Sequence, residues 1–202
     1  DMELTRSTVT HIINLAAAID FCLPLAEATR ANVTGALELL EVAKTCTKLH
    51  RLVHCSTAYV SVPKQNDASI YEHDPLVLPG NVAQIYNSIL KGAPETTPET
   101  TETELLGKSG HPNTYTYTKA MAEILLKQRC DKVKLVVVRP SIVTASLQYP
   151  KPGWIDSRAA FAAFVAMYGA GFLHTVSAKP HVQLDLVPCD YVASRLVCAA
   201  FD

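Results

Sequence analysis

Short apolar runs alternate with longer stretches of helical periodicity along this chain. Three continuous apolar segments, HIINLAA (11–17), RLVHCST (51–57) and KLVVVRP (134–140), are typical of strands buried on both faces of a sheet. Between the first two, ANVTGALELLEVAK repeats apolar residues at spacings of three and four, which predicts a helix over 25–44. A second helix is predicted over 114–129. Strands that alternate with helices predict an α/β fold with a parallel sheet and right-handed crossovers.

The rest of the chain is predicted to form a surface insertion and a C-terminal portion. Residues 63–112 are polar and acidic and carry several prolines, which predicts an insertion with one or two helices of its own. The charge-free run 159–176 is long enough to raise the question of a membrane span. It is rich in alanine and interrupted by Gly169 and Gly171, which favours a buried helix that ends at one of these glycines. A short extended piece, VQLDLVP, and a helix from about Asp190 follow.

The composition is that of a folded domain with a sizeable core. Of the 202 residues, 49% are hydrophobic and 18% are charged. The net charge of −1 argues against a protein that binds nucleic acid through a basic surface. The six cysteines are scattered, with neither CxxC pairs nor histidines at zinc-ligand spacing. We therefore expect reduced, packed thiols and no metal site.

The sequence HPNTYTYTK places two tyrosines shortly before one lysine. If a helix begins near Thr114, successive residues are offset by about 100° around its axis. Tyr115 and Lys119 are then four residues apart and share a face, whereas Tyr117 points to the opposite side. A nearby ammonium lowers the pKa of a tyrosine, and a tyrosine of that kind can give a proton to a carbonyl oxygen whose carbon receives hydride.

Hydroxyl groups at the end of the second predicted strand support a functional interpretation of this YxxxK pair. Ser56 and Thr57 lie at the carboxyl end of that strand, where parallel sheets bind their ligands. A lone YxxxK is frequently an ordinary surface contact. Here it opens the helix that connects this strand to another one, which ends in Arg139 and Pro140. The order of the motifs therefore favours a catalytic site over a chance pair.

These motifs resemble those of the extended short-chain dehydrogenase/reductases, and more narrowly those of the fatty acyl-CoA reductases. The resemblance is carried by NLAAAIDF, ANVTGALELLEVAK, VHCSTAYVS, GHPNTYTYTKAMAE, VVVRPSIV, YPKPGWID and DLVPCDYVA. YxxxK and STAYV are shared widely among reductases, whereas HPNTYTYTKA and PGWID are more specific to the acyl-CoA branch. The resemblance implies a Rossmann-like doubly wound parallel sheet. Residues 1–145 would form its Rossmann portion, with the insertion at 63–112, and 146–202 a portion on the substrate side.

The resemblance assigns catalytic roles to three residues. Tyr115 matches the proton donor of the family, and Lys119 matches its partner, which also holds the cofactor ribose; both residues thus face the cofactor. Thr57 matches the hydroxyl that binds the substrate carbonyl, with Ser56 as the alternative.

Five further positions match the cofactor site of the family. Ala16 and Ala17 match the backbone segment that passes along the cofactor. Asn32 matches an asparagine on the helix behind the site, in a region that helps to organise the tyrosine and the lysine through backbone and water. Pro140 and Ser141 match the loop beside the nicotinamide.

The chain departs from the family at the phosphate-binding loop. Family members open with a TGxxGxxG turn between a strand and a helix, whose amides bind the cofactor pyrophosphate. This motif is absent from the sequence, and Gly169-Ala170-Gly171 follows a predicted helix instead of a strand. We therefore expect a sheet that is incomplete at its N-terminus. We also expect residues 1–202 alone neither to bind NADPH tightly nor to reduce acyl-CoA.

The function that the resemblance implies is the NADPH-dependent reduction of fatty acyl-CoA to fatty aldehyde or alcohol. One alternative is a reductase that acts on carrier-bound acyl or peptidyl thioesters, as in carboxylic acid reductases; PGWID and HPNTYTYTK favour the acyl-CoA branch. Another is a binding protein that keeps the fold without catalysis. The resemblance also implies an intracellular protein. Many relatives attach to peroxisomal or endoplasmic reticulum membranes through segments outside the region seen here.

Overall fold

The computed structural model describes residues 2–62, 69–91, 98–179 and 181–201. The chain divides into two compact units, Asp1–Arg139 with Ala200–Asp202 and Pro140–Ala199. The functional division that we predicted at residue 146 stays a prediction.

Three parallel strands form the sheet of the first unit. Their order is that of the chain: β1 (His11–Asn14), β2 (Arg51–Cys55) and β3 (Leu135–Val138). The parallel α/β arrangement is confirmed, but all three strands are shorter than predicted. A side-chain hydrogen bond replaces the sheet ladder where β1 ends. The side-chain oxygen of Asn14 accepts from the Ala16 N–H at 3.1 Å.

Burial on both faces holds only for the middle of β2. Leu52, Val53 and His54 are buried, whereas β1 and β3 are mostly half-buried. The prediction of three fully buried strands is therefore wrong for the outer two. Within the described residues, β1 and β3 each pair with β2 on one side only.

The helices of the first unit follow the predicted pattern closely. They are α1 (Met2–Thr8), α2 (Leu25–Thr29), a π-helical turn (Arg30–Thr34), α3 (Gly35–Thr45), a short 3₁₀ turn (Ala58–Val60), α4 (Val82–Lys91), α5 (Pro98–Ser109) and α6 (Thr114–Arg129). The helix predicted over 25–44 is present with a π-helical turn inside it, and α6 has the predicted bounds. The two helices of the insertion are confirmed, although residues 63–68 and 92–97 lie outside the described part. The N-terminal α1 was not predicted.

Helices α3 and α6 supply much of the core. Leu40 on α3 and Met121 and Leu125 on α6 have no exposed surface, and Leu37 is nearly buried. Leu52 of β2 belongs to the same cluster. This packing fixes α6 beside the sheet, so the first turn of α6 reaches the carboxyl end of the strands.

The second unit contains a two-stranded parallel sheet and two helices. Its elements are β4 (Ile142–Thr144), α7 (Ala160–Gly169), β5 (Leu186–Pro188) and α8 (Cys189–Phe201), of which the last two residues count with the first unit. The extended piece and the last helix are confirmed, whereas β4 was not predicted.

Helix α7 ends at Gly169, which is one of the two predicted end points, but it is not a buried helix. None of its residues is buried, and Phe164, Val165 and Met167 are 39%, 52% and 49% exposed. Other apolar residues of the described second unit, such as Phe172 and Val182, are exposed as well, so they do not enclose this helix, which is apolar all round. No helix among the described residues is long and apolar enough to cross a membrane.

All six cysteines are free thiols. The prediction that all of them are packed is wrong for Cys22 and Cys198, which are exposed. Cys22 lies in the loop after β1, and Cys198 lies on an open face of α8.

Candidate active site

The start of α6 is fixed by the residues that precede the two tyrosines. Asn113 caps the helix, because its side-chain oxygen accepts from the Thr116 N–H at 2.9 Å. The buried His111 donates from Nε2 to the carbonyl oxygen of Val60 at 3.2 Å. The motif therefore ties the first turn of α6 to the loop that follows β2.

Tyr115 and Thr57 lie near each other at this end of the sheet. The Thr57 side chain is close enough to the Tyr115 hydroxyl to oppose the rise of its pKa. Thr57 is 5% exposed, and its oxygen also accepts from the Tyr59 N–H at 3.3 Å. Phe21 lies against the Tyr115 ring, with the two ring centroids 5.5 Å apart. The half-buried Tyr115 is thus held by a polar partner on one side and an aromatic one on the other.

The pKa of Tyr115 is raised above its ordinary value, so the prediction that Lys119 lowers it is wrong. Burial is the largest cause, the nearby Cys55 adds to it, and the Thr57 side chain opposes both. The phenol therefore keeps its proton at neutral pH, which suits a proton donor.

Lys119 is directed to the strand end instead of to the tyrosine. Its ammonium donates to the carbonyl oxygen of Cys55 at 2.6 Å, and the residue is 2% exposed. Burial lowers the pKa of Lys119, while Cys55 and Glu123 act in the opposite direction. The sequence placed Lys119 and Tyr115 on one face of α6; the carbonyl that holds the ammonium was not predicted.

Tyr117 lies in the core, in agreement with its helical offset from Tyr115. It is 1% exposed and packs edge-on against the His111 ring at 5.7 Å. Burial raises the pKa of Tyr117 to about 12. Ser56, the alternative to Thr57, is also buried, and its hydroxyl has no hydrogen-bond partner in the described part of the chain. Of the two hydroxyls that follow β2, Thr57 is the one that acts on the pKa of Tyr115.

Two asparagines hold the loop that follows β1. Asn14 accepts from the Ala16 N–H at 3.1 Å. Asn32 accepts from the Ala18 N–H at 2.8 Å and donates to the Ala18 carbonyl oxygen at 3.2 Å and to the Thr118 hydroxyl at 3.0 Å. Asn32 therefore contacts neither Tyr115 nor Lys119 but joins this loop to α6. It lies in the π-helical turn, an irregularity that is frequent at functional sites.

Sequence reasoning missed Asn14 and the buried His54 beside it. The Asn14 amide donates to His54 Nδ1 at 3.3 Å. Burial, with the charge of Lys119 as a second cause, lowers the pKa of His54 to about 3, so this imidazole is neutral. Polar residues inside two apolar runs, HIIN and RLVHC, were the available signal.

Pro140 and Ser141 stand at the start of the second unit, directly before β4, and both are half-buried. Their assignment to the nicotinamide loop stays a prediction. Among the described residues, no group of three or more His, Cys, Asp or Glu side chains could hold a metal ion.

Comparison with known proteins shows the family of this chain. The model of an NAD-binding family described as male sterility protein matches residues 1–196. The chain belongs to this family. It therefore forms part of an NAD(P)-binding domain.

Curated relatives of this chain confirm the resemblance to fatty acyl-CoA reductases. A fatty acyl-CoA reductase 2 from Mus musculus is 33% identical over 204 residues, which cover 100% of this chain and 38% of the relative. A fatty acyl-CoA reductase 1 from Gallus gallus is 34% identical over 196 residues, which cover 96% of this chain and 36% of the relative. The chain thus spans less than half the length of these relatives.

Solved structures confirm the fold. The terminal R domain from the myxalamid PKS-NRPS biosynthetic pathway superimposes with a TM-score of 0.66 at 22% identity, over 97% of this chain and 41% of that one. A UDP-N-acetylglucosamine 4-epimerase from Methanobrevibacter ruminantium M1 superimposes with a TM-score of 0.64 at 14% identity, over 98% of this chain and 54% of that one. At these identities the likeness shows a shared Rossmann-like architecture and no shared activity.

Proposed function

We propose that this chain carries the catalytic centre of an NADPH-dependent reductase that converts fatty acyl-CoA to fatty aldehyde and then to fatty alcohol. The observation that carries the proposal is the proximity of the Tyr115 and Thr57 side chains at the strand end, with Lys119 fixed one helical turn beyond Tyr115 by its bond to the Cys55 carbonyl oxygen. Two hydroxyls that meet at the carboxyl end of a parallel sheet can bind one carbonyl oxygen. The relatives named as fatty acyl-CoA reductases support a thioester of CoA as the substrate.

The residues present fit a nicotinamide cofactor. In the described part of the chain, the Lys119 ammonium gives one of its three N–H groups to Cys55, which leaves donors for ribose hydroxyls. The backbone at Ala16 and Ala17 is held between the anchors at Asn14 and Asn32 and so offers a fixed edge for the cofactor. NADPH, when bound, supplies hydride to the carbonyl carbon. Its choice over NADH is part of the proposal.

The protein's part in the reaction is to bind the carbonyl oxygen and to move one proton. Thr57 and Tyr115 donate hydrogen bonds to the thioester oxygen, which strengthen as negative charge develops there. Tyr115, which is protonated at neutral pH, passes its proton to this oxygen. Collapse of the tetrahedral adduct breaks the carbon–sulfur bond, and the proton on the oxygen leaves with the sulfur, which releases CoA as the thiol and leaves the aldehyde. With a second hydride from a further NADPH, the same two hydroxyls serve the aldehyde oxygen, and Tyr115, reprotonated from solvent, gives it the proton of the alcohol.

The substrate class is tested by offering one acyl group in two forms to the complete natural protein. Palmitoyl-CoA and the same acyl group on a phosphopantetheine carrier protein are compared, each with NADPH and with NADH. We expect the highest kcat/KM for palmitoyl-CoA with NADPH. A preference for the carrier-bound form would support the carboxylic acid reductase alternative. Absence of nucleotide oxidation with either thioester would support a binding protein without catalysis.

A further inference from the structure

Lys119 has a second buried charged residue one helical turn further along α6. Glu123 is four residues on, so the two side chains share a face of the helix. Lys119 is 2% exposed and Glu123 is 0% exposed. A buried carboxylate and a buried ammonium each need a partner, because the loss of hydration is costly for both.

The partner of Glu123 is Arg139, which follows β3 directly. Arg139 Nη2 donates to Glu123 Oε2 at 2.7 Å, and Arg139 Nε donates to Oε1 and Oε2 at 3.0 and 3.2 Å. This bidentate geometry fixes both the position and the orientation of the two side chains. The Glu123 side chain is fully buried and the Arg139 side chain is 17% exposed.

The two charged residues of α6 therefore hold the ends of two neighbouring strands. Lys119 holds Cys55 at the end of β2, and Glu123 holds Arg139 after the end of β3. The two strand ends are themselves joined, since Cys55 is paired with Val138 and the next residue donates to the Val138 carbonyl oxygen at 2.7 Å. Helix α6 is thus hydrogen-bonded through Lys119 to the end of β2 and through Glu123 to the residue after β3.

We infer that Glu123 is a positioning residue for the proposed reaction, which holds Lys119 as an ammonium by its charge and fixes its place by tying α6 to the end of β3. The inference rests on the proposed role of Lys119. It assigns to Glu123 a second task beyond the neutralisation of Arg139. Glu123 acts through Lys119 and touches neither the thioester nor the reacting atoms.

The other groups around Lys119 do not replace the carboxylate. His54 and Cys55 face it from β2, and Tyr115 lies one turn before it on α6. His54 is neutral, and burial keeps the pKa of both Cys55 and Tyr115 raised, so all three carry no charge at neutral pH. Glu72 acts electrostatically on Arg139. Glu123 is therefore the anion that offsets the burial of Lys119 within α6, β2 and β3.

The test compares Glu123→Gln, Arg139→Met and the double variant in the complete natural protein. The protonation of Lys119 is followed by its ¹³Cε NMR signal, assigned with Lys119→Met, and by the alkaline limb of kcat/KM for palmitoyl-CoA. We expect Glu123→Gln to move both titrations down by about one pH unit. The double variant should keep that shift, because Lys119 still lacks its anion. Arg139→Met should not lower either titration.

A purely structural Glu123 predicts a different pattern. If Glu123 served only to neutralise Arg139, the double variant would titrate like the wild type, and that result would overturn the inference. An unshifted Lys119 signal in Glu123→Gln would overturn it as well. If Glu123→Gln alone fails to fold, the double variant, which removes both partners of the Glu123–Arg139 ion pair, carries the comparison. A wild-type protein without reductase activity would refute the proposed function, whereas the NMR titration would still decide the role of Glu123.

Discussion

Tyr115 and Tyr117 show how the surroundings of a residue decide its chemistry. They are two positions apart in one helical turn, yet Tyr115 is half-buried and lies near Thr57, whereas Tyr117 is 1% exposed inside the core. A phenol that delivers a proton must reach a substrate. Only Tyr115 meets this condition, and its offset from Tyr117 follows from the period of the α-helix alone.

Tyr117→Phe tests this assignment through stability. Its hydroxyl has no hydrogen-bond partner in the described part of the chain, so its removal breaks no bond seen there. We expect the free energy of unfolding to stay within about 1 kcal/mol of the wild type, and reductase activity to change little. Thermal unfolding and kcat/KM measure the two effects. A loss of several kcal/mol, or a crippled enzyme, would show that the hydroxyl has a partner in the working protein.

Thr57→Ala tests the second hydroxyl. Because its bond to the carbonyl oxygen strengthens as charge develops, we expect kcat to fall by about 10²-fold or more while the Kd for NADPH changes little. Thr57→Ser, which keeps the hydroxyl, is the matched control and should retain most of the rate. Steady-state kinetics and nucleotide titration give the two quantities. Equal losses in rate and NADPH affinity for Thr57→Ala would assign the residue to structure instead.

At the scale of elements, the site depends on how loops are fastened to α6. The sequence predicted α6 and the helix over 25–44 well, because their apolar spacing is strongly periodic. It could not predict the π-helical turn around Asn32, since nothing in ANVTG signals an extra residue in a turn. The hydrogen bonds from Asn32 to Ala18 and Thr118 were not predicted either, because they join residues that lie 14 and 86 positions away from Asn32.

Asn32→Ala should loosen the loop after β1. It removes the partners of both backbone groups of the half-buried Ala18, while the Thr118 hydroxyl loses one bond and keeps its bond to the Thr114 carbonyl oxygen. Hydrogen bonds of this kind contribute about 0.5–1.5 kcal/mol each. We expect a lower Tm and a higher KM for NADPH. Asn32→Asp keeps the acceptor for the Ala18 N–H but loses both donors, so it should fall between the wild type and Asn32→Ala. An unchanged KM in Asn32→Ala would mean that the loop does not position the cofactor.

His54→Asn should change how stability depends on pH. The pKa of His54 is lowered to about 3 in the fold, whereas in the unfolded chain it returns to its ordinary value near 6.5. As the pH falls below about 6.5, His54 binds a proton in the unfolded state but not in the folded state. The free energy of unfolding therefore drops by about 1.4 kcal/mol per pH unit until the pH nears the folded pKa.

The substitution removes this contribution while its side-chain oxygen can still accept from Asn14. Chemical unfolding of the wild type and His54→Asn between about pH 7 and pH 4.5 measures the difference in slope. Parallel curves would show that His54 is protonated in the folded protein.

On the scale of the whole molecule, the site joins segments that are far apart in the chain. The Lys119–Cys55, His111–Val60 and Asn32–Thr118 bonds link residues 64, 51 and 86 positions apart. Residue types and their order predicted the fold class, and they indicated candidate site residues whose roles stay predictions, because motifs at strand ends and helix starts are local. The partner of each group is a property of the tertiary fold. The sequence therefore placed Lys119 beside Tyr115 without showing that its ammonium binds a strand carbonyl.

The exposed helix α7 shows the same limit of prediction from the sequence. Its apolar run predicted a buried helix, and this prediction is wrong, because burial also needs a covering surface and none of the residues of α7 is buried. The chain spans 38% of the Mus musculus relative, and the account of catalysis therefore concerns the complete natural protein.

Transfer of deuterium from NADPH labelled at C4 tests the central claim most directly. The complete natural protein is incubated with palmitoyl-CoA and labelled NADPH, and the lipid products are analysed by mass spectrometry. We predict deuterated aldehyde or alcohol from the wild type and from Tyr117→Phe at similar rates. Tyr115→Phe, with unchanged folding, should slow labelling by about 10²- to 10⁴-fold, the range for loss of a positioned acid. Labelling at the wild-type rate by Tyr115→Phe, or its loss in Tyr117→Phe alone, would contradict the account.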